Sequence, residues 1–154
     1  MAPVADSTDA ASVVTRKTMG TLVCAVEDSP EAAEALRVAG RLSVEGGLRL
    51  VVVHVEDTIG QGSVSRMGAE QRGRQRLDRV LAQQALSCGV DTRVEIGPLA
   101  QELARVAAEE AATLIVLGSP SRHCWRRRRL TKLTAELAAT ADCPVVVVPA
   151  APAR

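Results

Sequence analysis

Apolar runs and helix-like stretches alternate along this chain. Four runs of mainly apolar residues, at 21–26, 48–55, 113–117 and 145–148, predict buried strands. A fifth strand is predicted at 90–96, where apolar and polar residues alternate with a period of two, as expected nearer a sheet edge. The strict strand–helix alternation predicts an α/β fold, a three-layer αβα sandwich around a doubly wound five-stranded parallel sheet.

Turn and capping residues set the predicted helix boundaries. Ser29, followed by Pro30 and Glu31, is typical of a helix start, and Gly46-Gly47 of a helix end. A second helix is predicted at about 66–87, a third after Gly97-Pro98, and a fourth at 130–140. Residues 119–129 are then predicted to be a loop at the carboxyl ends of the strands, where such sheets place ligands.

Length and composition indicate one domain. The 154 residues, 47% of them apolar, suffice for a single core, which we place at 19–150 between a flexible arm at 1–18 and a tail at 151–154. No apolar leader or 18-residue apolar run is present, so we expect a soluble, cytoplasmic protein with no membrane contact. The four cysteines lack Cys-x-x-Cys spacing, so no metal site is predicted.

Charge is distributed unevenly. Residues 118–132 carry six basic side chains and no acidic one, whereas the whole chain has a net charge of +1, which leaves the rest at −5. The basic residues are Arg122, Arg126, Arg127, Arg128, Arg129 and Lys132. Arginine binds phosphate bidentately, so this segment is a candidate anion-binding loop.

Four stretches together resemble the universal stress protein family. They are Val-Cys-Ala-Val-Glu-Asp-Ser-Pro at 23–30, Val-Val-Val-His-Val at 51–55, Leu-Ile-Val-Leu-Gly-Ser at 114–119, and Cys-Pro-Val-Val-Val-Val-Pro at 143–149. The resemblance covers about residues 19–150 in the family's order. It implies a Rossmann-like fold of the adenine nucleotide alpha hydrolase-like type, with strand order 3-2-1-4-5. It also implies a homodimer formed through strand five, at Val145, Val146, Val147 and Val148.

The resemblance further implies an ATP site, but the motif is altered. ATP-binding members carry Gly-x2-Gly-x9-Gly-Ser or -Thr, and this chain has Gly118, Ser121, Thr131 and Lys132 at those positions. The residue that matches the adenine-side aspartate is Glu27. The nucleotide-binding positions carried over are Glu27, Ser29, Val55, Gly118, Ser121, Arg122, Thr131 and Lys132. A Cβ at Ser121 and Thr131 hinders close backbone approach to a phosphate and is unfavourable at positive φ.

Three interpretations of the basic segment therefore stay open. It could be a solvated tip on a regulatory module with altered or lost ATP binding. It could be an arginine-built site for ATP, polyphosphate or another anion. Least favoured is a nucleic-acid surface at Arg126–Arg129, because the patch is short and the chain has one aromatic residue, Trp125.

No catalytic constellation is apparent in the sequence. His54 ends a predicted strand, where a histidine more often packs or hydrogen-bonds than catalyses, and Glu27 could contact a ribose or simply cap a helix. No nucleophile and base pair can be assigned. We therefore expect a stress-response module rather than an enzyme, with no certain cofactor.

Overall fold

The computed structural model describes residues 19–27, 29–57, 62–119 and 124–149, with the backbone alone for 124–127. The arm and the tail expected at the two ends lie outside the described residues. No helix in the described part of the chain is long and apolar enough to cross a membrane.

Five parallel strands form one sheet in the order β3-β2-β1-β4-β5, which confirms the predicted fold. The strands are β1 Gly20–Ala25, β2 Leu48–Glu56, β3 Val90–Ile96, β4 Ala112–Gly118 and β5 Val145–Val148. The helices, numbered in chain order, are α1 Pro30–Gly46, α2 Arg66–Ala82, α3 Leu99–Glu109 and α4 Cys124–Thr140. β3 and β5 are therefore the sheet edges, as their sequences predict.

Alternate residues of the central strands build two separate cores. Leu22, Cys24 and Leu50 pack under α1 and α2, where Leu36 and Leu77 are fully buried. Neighbouring strand residues point to the other face and pack with buried side chains of α3 and α4, and these strand residues are Val23, Val51, Val53, Ile115 and Leu117. This alternation explains why the central strands are apolar throughout, since both of their faces are covered.

The ends of α1 follow the capping residues in the sequence. Ser29 Oγ accepts a hydrogen bond from the backbone N–H of Ala32 at 3.2 Å, and Pro30 takes the first helical position. Gly47 ends the helix at φ 64°, a left-handed conformation that glycine adopts without a Cβ clash.

Two helix boundaries differ from the sequence predictions. α2 ends at Ala82 rather than near 87, because the N–H groups of Gln83 and Gln84 bond three residues back and tighten the last turn. α4 begins at Cys124 rather than 130, so the arginine run is helical and is not a loop. Arginine is a good helix former, and no Gly or Pro lies between 124 and 140 to stop the helix.

The α3-facing side of β3 is charged instead of apolar. Arg93 bonds Glu109 at 2.7 Å and Glu110 at 3.2 Å, and Arg49 bonds Glu110 at 2.5 Å and Asp91 at 2.6 Å. Arg105 of α3 joins this network through Glu95, Glu102 and Glu109. Hydrogen bonds from Arg93, then Arg105, hold the pKa of Glu109 below its ordinary value. Paired charges thus join the outer strand to α3.

Candidate functional site

The candidate site lies at the carboxyl ends of β1 and β4, where the strand order reverses direction. Glu27 follows β1 and is exposed, and the backbone N–H of Val26 bonds Val53 O at 2.9 Å. On the other side, the N–H of Ser119 bonds Val148 O at 2.7 Å and fixes the chain as it leaves β4. These two backbone hydrogen bonds fix the chain where it leaves β1 and β4.

Gly118, the one glycine kept from the family motif, packs against the start of α1. A Cβ on this residue would lie 2.7 Å from Glu31 O and 3.0 Å from Glu31 C, closer than real contacts allow. The strand end and the first turn of α1 thus approach so closely that only glycine fits. This packing accounts for Gly118 without a ligand.

Three of the nucleotide-binding positions carried over from the family are Glu27, Ser29 and Val55. Glu27 is exposed, whereas the Ser29 hydroxyl already caps α1. Val55, near the end of β2, is partly buried against the α3 and α4 core. The structure places all three at the carboxyl-terminal end of the sheet, where β1 and β2 end.

The motif positions that close the phosphate loop in ATP-binding members lie within a helix in this protein. Thr131 and Lys132 lie in the interior of α4, and Thr134 Oγ1 donates to Leu130 O at 2.9 Å and to Thr131 O at 3.0 Å. Lys132 Nζ lies 3.8 Å from Glu136 Oε1, and both side chains are largely exposed. The family's closing glycine and hydroxyl positions are here part of a continuous helix.

The other basic residues are only partly described. Arg128 and Arg129 of α4 are exposed. Ser121 and Arg122 lie outside the described residues, as do the side chains of Arg126 and Arg127. The structure thus places the arginine run on the N-terminal half of α4.

A cluster of buried polar side chains lies beside the site, and His54 is the one member that was considered from the sequence. His54 was noted there as a packing or hydrogen-bonding residue, and its ring bonds Val26 O at 2.8 Å and Glu56 Oε1 at 2.9 Å. Arg76 of α2 reaches the same carboxylate at 3.0 Å. The period of two between His54 and Glu56 put both on one face of β2, but nothing in the sequence pointed to Arg76.

The outer edge of β5 is apolar and partly open. Val146 and Val147 are 38% and 37% exposed, Val145 is half-buried and Val148 is buried. A shallow groove lined by Thr134, Ala138, Cys143, Pro144, Val145 and Val147 runs beside this edge.

No group of three or more His, Cys, Asp or Glu side chains suited to a metal ion occurs among the described residues. Of the thiols described there, Cys24 is fully buried, and burial raises its pKa to about 12. Such a thiol is not a nucleophile near neutral pH.

Comparisons with known proteins agree on one family. A crystal structure of a universal stress protein family member from Burkholderia pseudomallei is 26% identical and covers 86% of this chain and 98% of its own, with a TM-score of 0.64. A universal stress protein in complex with cAMP is 18% identical, covers 86% and 98%, and has a TM-score of 0.62. One from Archaeoglobus fulgidus in complex with dAMP is 18% identical, covers 83% and 96%, and has a TM-score of 0.55. The comparison with curated proteins finds no significant match.

The sequence profile described as "Universal stress protein family" matches residues 19–149, a range that includes every residue the structure describes. The fold, the strand order and the four sequence stretches all agree with that match. The chain belongs to the universal stress protein family.

Proposed function

We propose that this protein is a cytoplasmic, non-catalytic regulatory module of the stress-protein type, dimeric through β5, that does not hold ATP through the family's glycine loop. The observation that carries the proposal is the early start of α4. This helix begins at Cys124, so its first two turns occupy positions that belong to the phosphate loop in ATP-binding members.

A helix is a poor substitute for that loop because its backbone donors are already used. Beyond the first four residues, each helical N–H donates to the carbonyl four residues back. The N–H groups of Thr131 and Lys132 lie beyond those four, so they are unavailable to an anion. A glycine loop cradles phosphate because its N–H groups are free and converge.

The surviving glycine does not weaken the proposal. Gly118 is required by the contact with Glu31, whatever binds at the site. The Ser29 hydroxyl has a structural task as well, since it caps α1. Two of the positions carried over from the ATP-binding pattern are therefore explained by folding alone.

Nucleotide or anion binding by side chains is the second candidate function. Arg128, Arg129 and Lys132 are exposed on one half of α4, and solved relatives form complexes with cAMP and dAMP. Arginine side chains could contact a phosphate while Glu27 and Val55 face the nucleoside. This alternative needs the basic side chains and makes no use of a glycine loop.

Ligand-induced thermal stabilisation separates these functions. A ligand that binds only the native state, at 100 times its Kd, adds about 2.7 kcal/mol to the free energy of unfolding. We expect no change in Tm for the wild type with millimolar ATP, ADP, cAMP, dAMP or polyphosphate. A micromolar affinity for ATP in the wild type would contradict the proposal.

Two variants give the experiment its controls. The triple variant Ser121→Gly, Thr131→Gly, Lys132→Ser restores the family motif, and a gain of ATP binding would identify the altered loop as the cause of the loss. The double variant Arg128→Ala, Arg129→Ala tests the alternative. If the wild type binds an anion and this variant does not, the site is built from arginine side chains.

A further inference from the structure

The first part of α4 carries a basic stripe on the side of the helix that is turned away from the sheet. The inward side of α4 holds leucines that pack on the core shared with α3, and these are Leu130, Leu133 and Leu137. On the opposite side, four residues spaced by three and four share one helix face, and these are Trp125, Arg128, Arg129 and Lys132. The two arginines and the lysine are exposed, as an outward face requires. We call these four residues the basic stripe.

Arg128 and Arg129 differ from the protein's other arginines because neither has a hydrogen bond or ion pair with any residue that the structure describes. Every other arginine whose side chain is described makes a specific contact with a neighbour. Arg37, Arg66 and Arg105, for example, bond glutamates on their own helices. The guanidinium groups of the basic stripe are therefore available to a partner outside this chain.

The basic stripe also lies at the unfavourable end of its helix. The N-terminus of a helix carries partial positive charge, so acidic side chains stabilise the first turn and basic side chains do not. α4 has no acidic residue in its first turn, and Arg126–Arg129 lie within its first two turns. Lys132 has an acidic neighbour, Glu136, at 3.8 Å, but it lies further along the helix. An anionic partner at the stripe would relieve the unfavourable charge at the start of α4.

We propose that the basic stripe is the docking surface for an acidic segment of a partner protein, whose carboxylates are spaced three and four residues apart as on one face of a helix. The inference rests on the first proposed function, because it names the class of partner that the regulatory module binds. Arginine pairs with carboxylates bidentately, and tryptophan and arginine are enriched among the residues that dominate binding at protein interfaces. From residue 125 to residue 132 the stripe extends about 10 Å along α4, which matches two turns of a facing helix.

The position and size of the stripe favour a protein over a nucleotide or a nucleic acid. A nucleotide in the crevice would lie at the carboxyl ends of β1 and β4, whereas the stripe is on the side of α4 opposite to its contacts with the sheet. Nucleic acids are held through many phosphate contacts, and single strands also need stacking aromatic residues. The stripe offers three cations, and the chain has one aromatic residue.

Trp125 provides a reporter within the stripe. It is the only tryptophan, and the chain has no tyrosine or phenylalanine, so the intrinsic fluorescence of the protein comes from this residue alone. The probe is a synthetic alanine-based helical peptide that has glutamates at i, i+3, i+4 and i+7 and no aromatic residue. We expect a saturable change in Trp125 emission as the peptide is added at low salt. The affinity should fall as salt is raised, because exposed charge pairs are screened.

Two double variants with the same net charge separate the stripe from basic charge in general. Arg128→Ala with Arg129→Ala should weaken peptide binding by at least about tenfold in Kd. Arg41→Ala with Arg66→Ala removes two exposed arginines from other helices and should bind the peptide as the wild type does. All four side chains are exposed, so both variants should fold, which circular dichroism checks. Equal affinities for the two variants would mean that the peptide responds only to net charge, and would overturn the proposal.

Two competing ligands complete the test. A peptide of the same composition with scrambled glutamate spacing, and an oligodeoxythymidylate of the same charge, should both bind more weakly than the helical peptide. If either binds as tightly or more tightly, or if the helical peptide leaves Trp125 emission unchanged, the proposal fails. Such a failure is distinct from a failure of the first proposed function, which is decided by the effect of nucleotides on Tm.

Discussion

At the scale of single residues, Gly118 shows that a family motif can be kept for a reason other than its ligand. The family motif assigns this glycine to phosphate binding. In the structure it packs so closely on the first turn of α1 that an added Cβ would clash with Glu31 O. The sequence could identify the position but not the contact, because the contact joins β4 to a helix far away in the chain.

Replacing Gly118 with alanine should destabilise the protein in the absence of any ligand. We expect a loss of about 1–3 kcal/mol in the free energy of unfolding, as for overpacked sites, measured by urea denaturation. Gly89→Ala is the control, since a Cβ there would meet nothing within 4 Å. Equal stabilities for both variants and the wild type would mean that the β4–α1 contact is looser than described.

The buried thiol of Cys24 leads to a second prediction for a single residue, which concerns how stability changes at alkaline pH. Burial raises the pKa of its thiol to about 12, so the folded state keeps the proton at pH values where the unfolded chain releases it. Stability from this group is complete below pH of about 9 and falls as the pH rises towards 12, by about 1.4 kcal/mol per unit. Urea unfolding between pH 8 and pH 10.5 should show a smaller decline for Cys24→Ala than for the wild type.

The same measurement on Val23→Ala supplies the comparison, because Val23 is fully buried beside Cys24 and carries no titratable group. Its pH dependence should match that of the wild type. If Cys24→Ala also matches the wild type, the buried thiol does not contribute to alkaline destabilisation.

At the scale of secondary-structure elements, the strands were easier to predict than the helices. The bounds of β3 and β5 were predicted correctly, because turn residues flank both strands and their apolar patterns are clear. α4 was predicted six residues too short, since its apolar spacing starts only at Leu130. The arginines before Leu130 have high helix propensity but no apolar periodicity. The apolar pattern alone therefore did not predict the first six residues of the helix.

β5 is the element on which the dimer proposal rests. It is an edge strand of four valines, and two of them, Val146 and Val147, remain exposed in the single chain. Exposed apolar edges favour pairing with another strand, and a second copy of β5 supplies a matching edge.

Val146→Lys should therefore convert a dimer to a monomer. A charge placed within a paired apolar edge should weaken self-association by at least about tenfold in Kd, visible by sedimentation velocity across a concentration series. Val44→Lys, at an exposed valine of α1, should leave the association unchanged. A Val146→Lys protein that stays dimeric would place the interface elsewhere.

At the scale of the whole molecule, the fold could be predicted almost completely and the site only in part. Strand–helix alternation and four family-like stretches were sufficient for the sheet order. The partners of His54 were not predictable, because Arg76 reaches Glu56 from another element 20 residues along the chain. Long-range polar contacts of this kind leave no periodic signal in a single sequence.

The charged network around Arg93 divides the molecule into regions held by different forces. The two apolar cores depend on water exclusion, which moderate salt changes little, whereas the outermost flank is joined by Arg49, Arg93 and Arg105 to acidic neighbours. Dissolved ions compete with those pairs. Ionic strength thus acts selectively on one border of the protein, and raised salt would relax that border while the apolar centre stays intact.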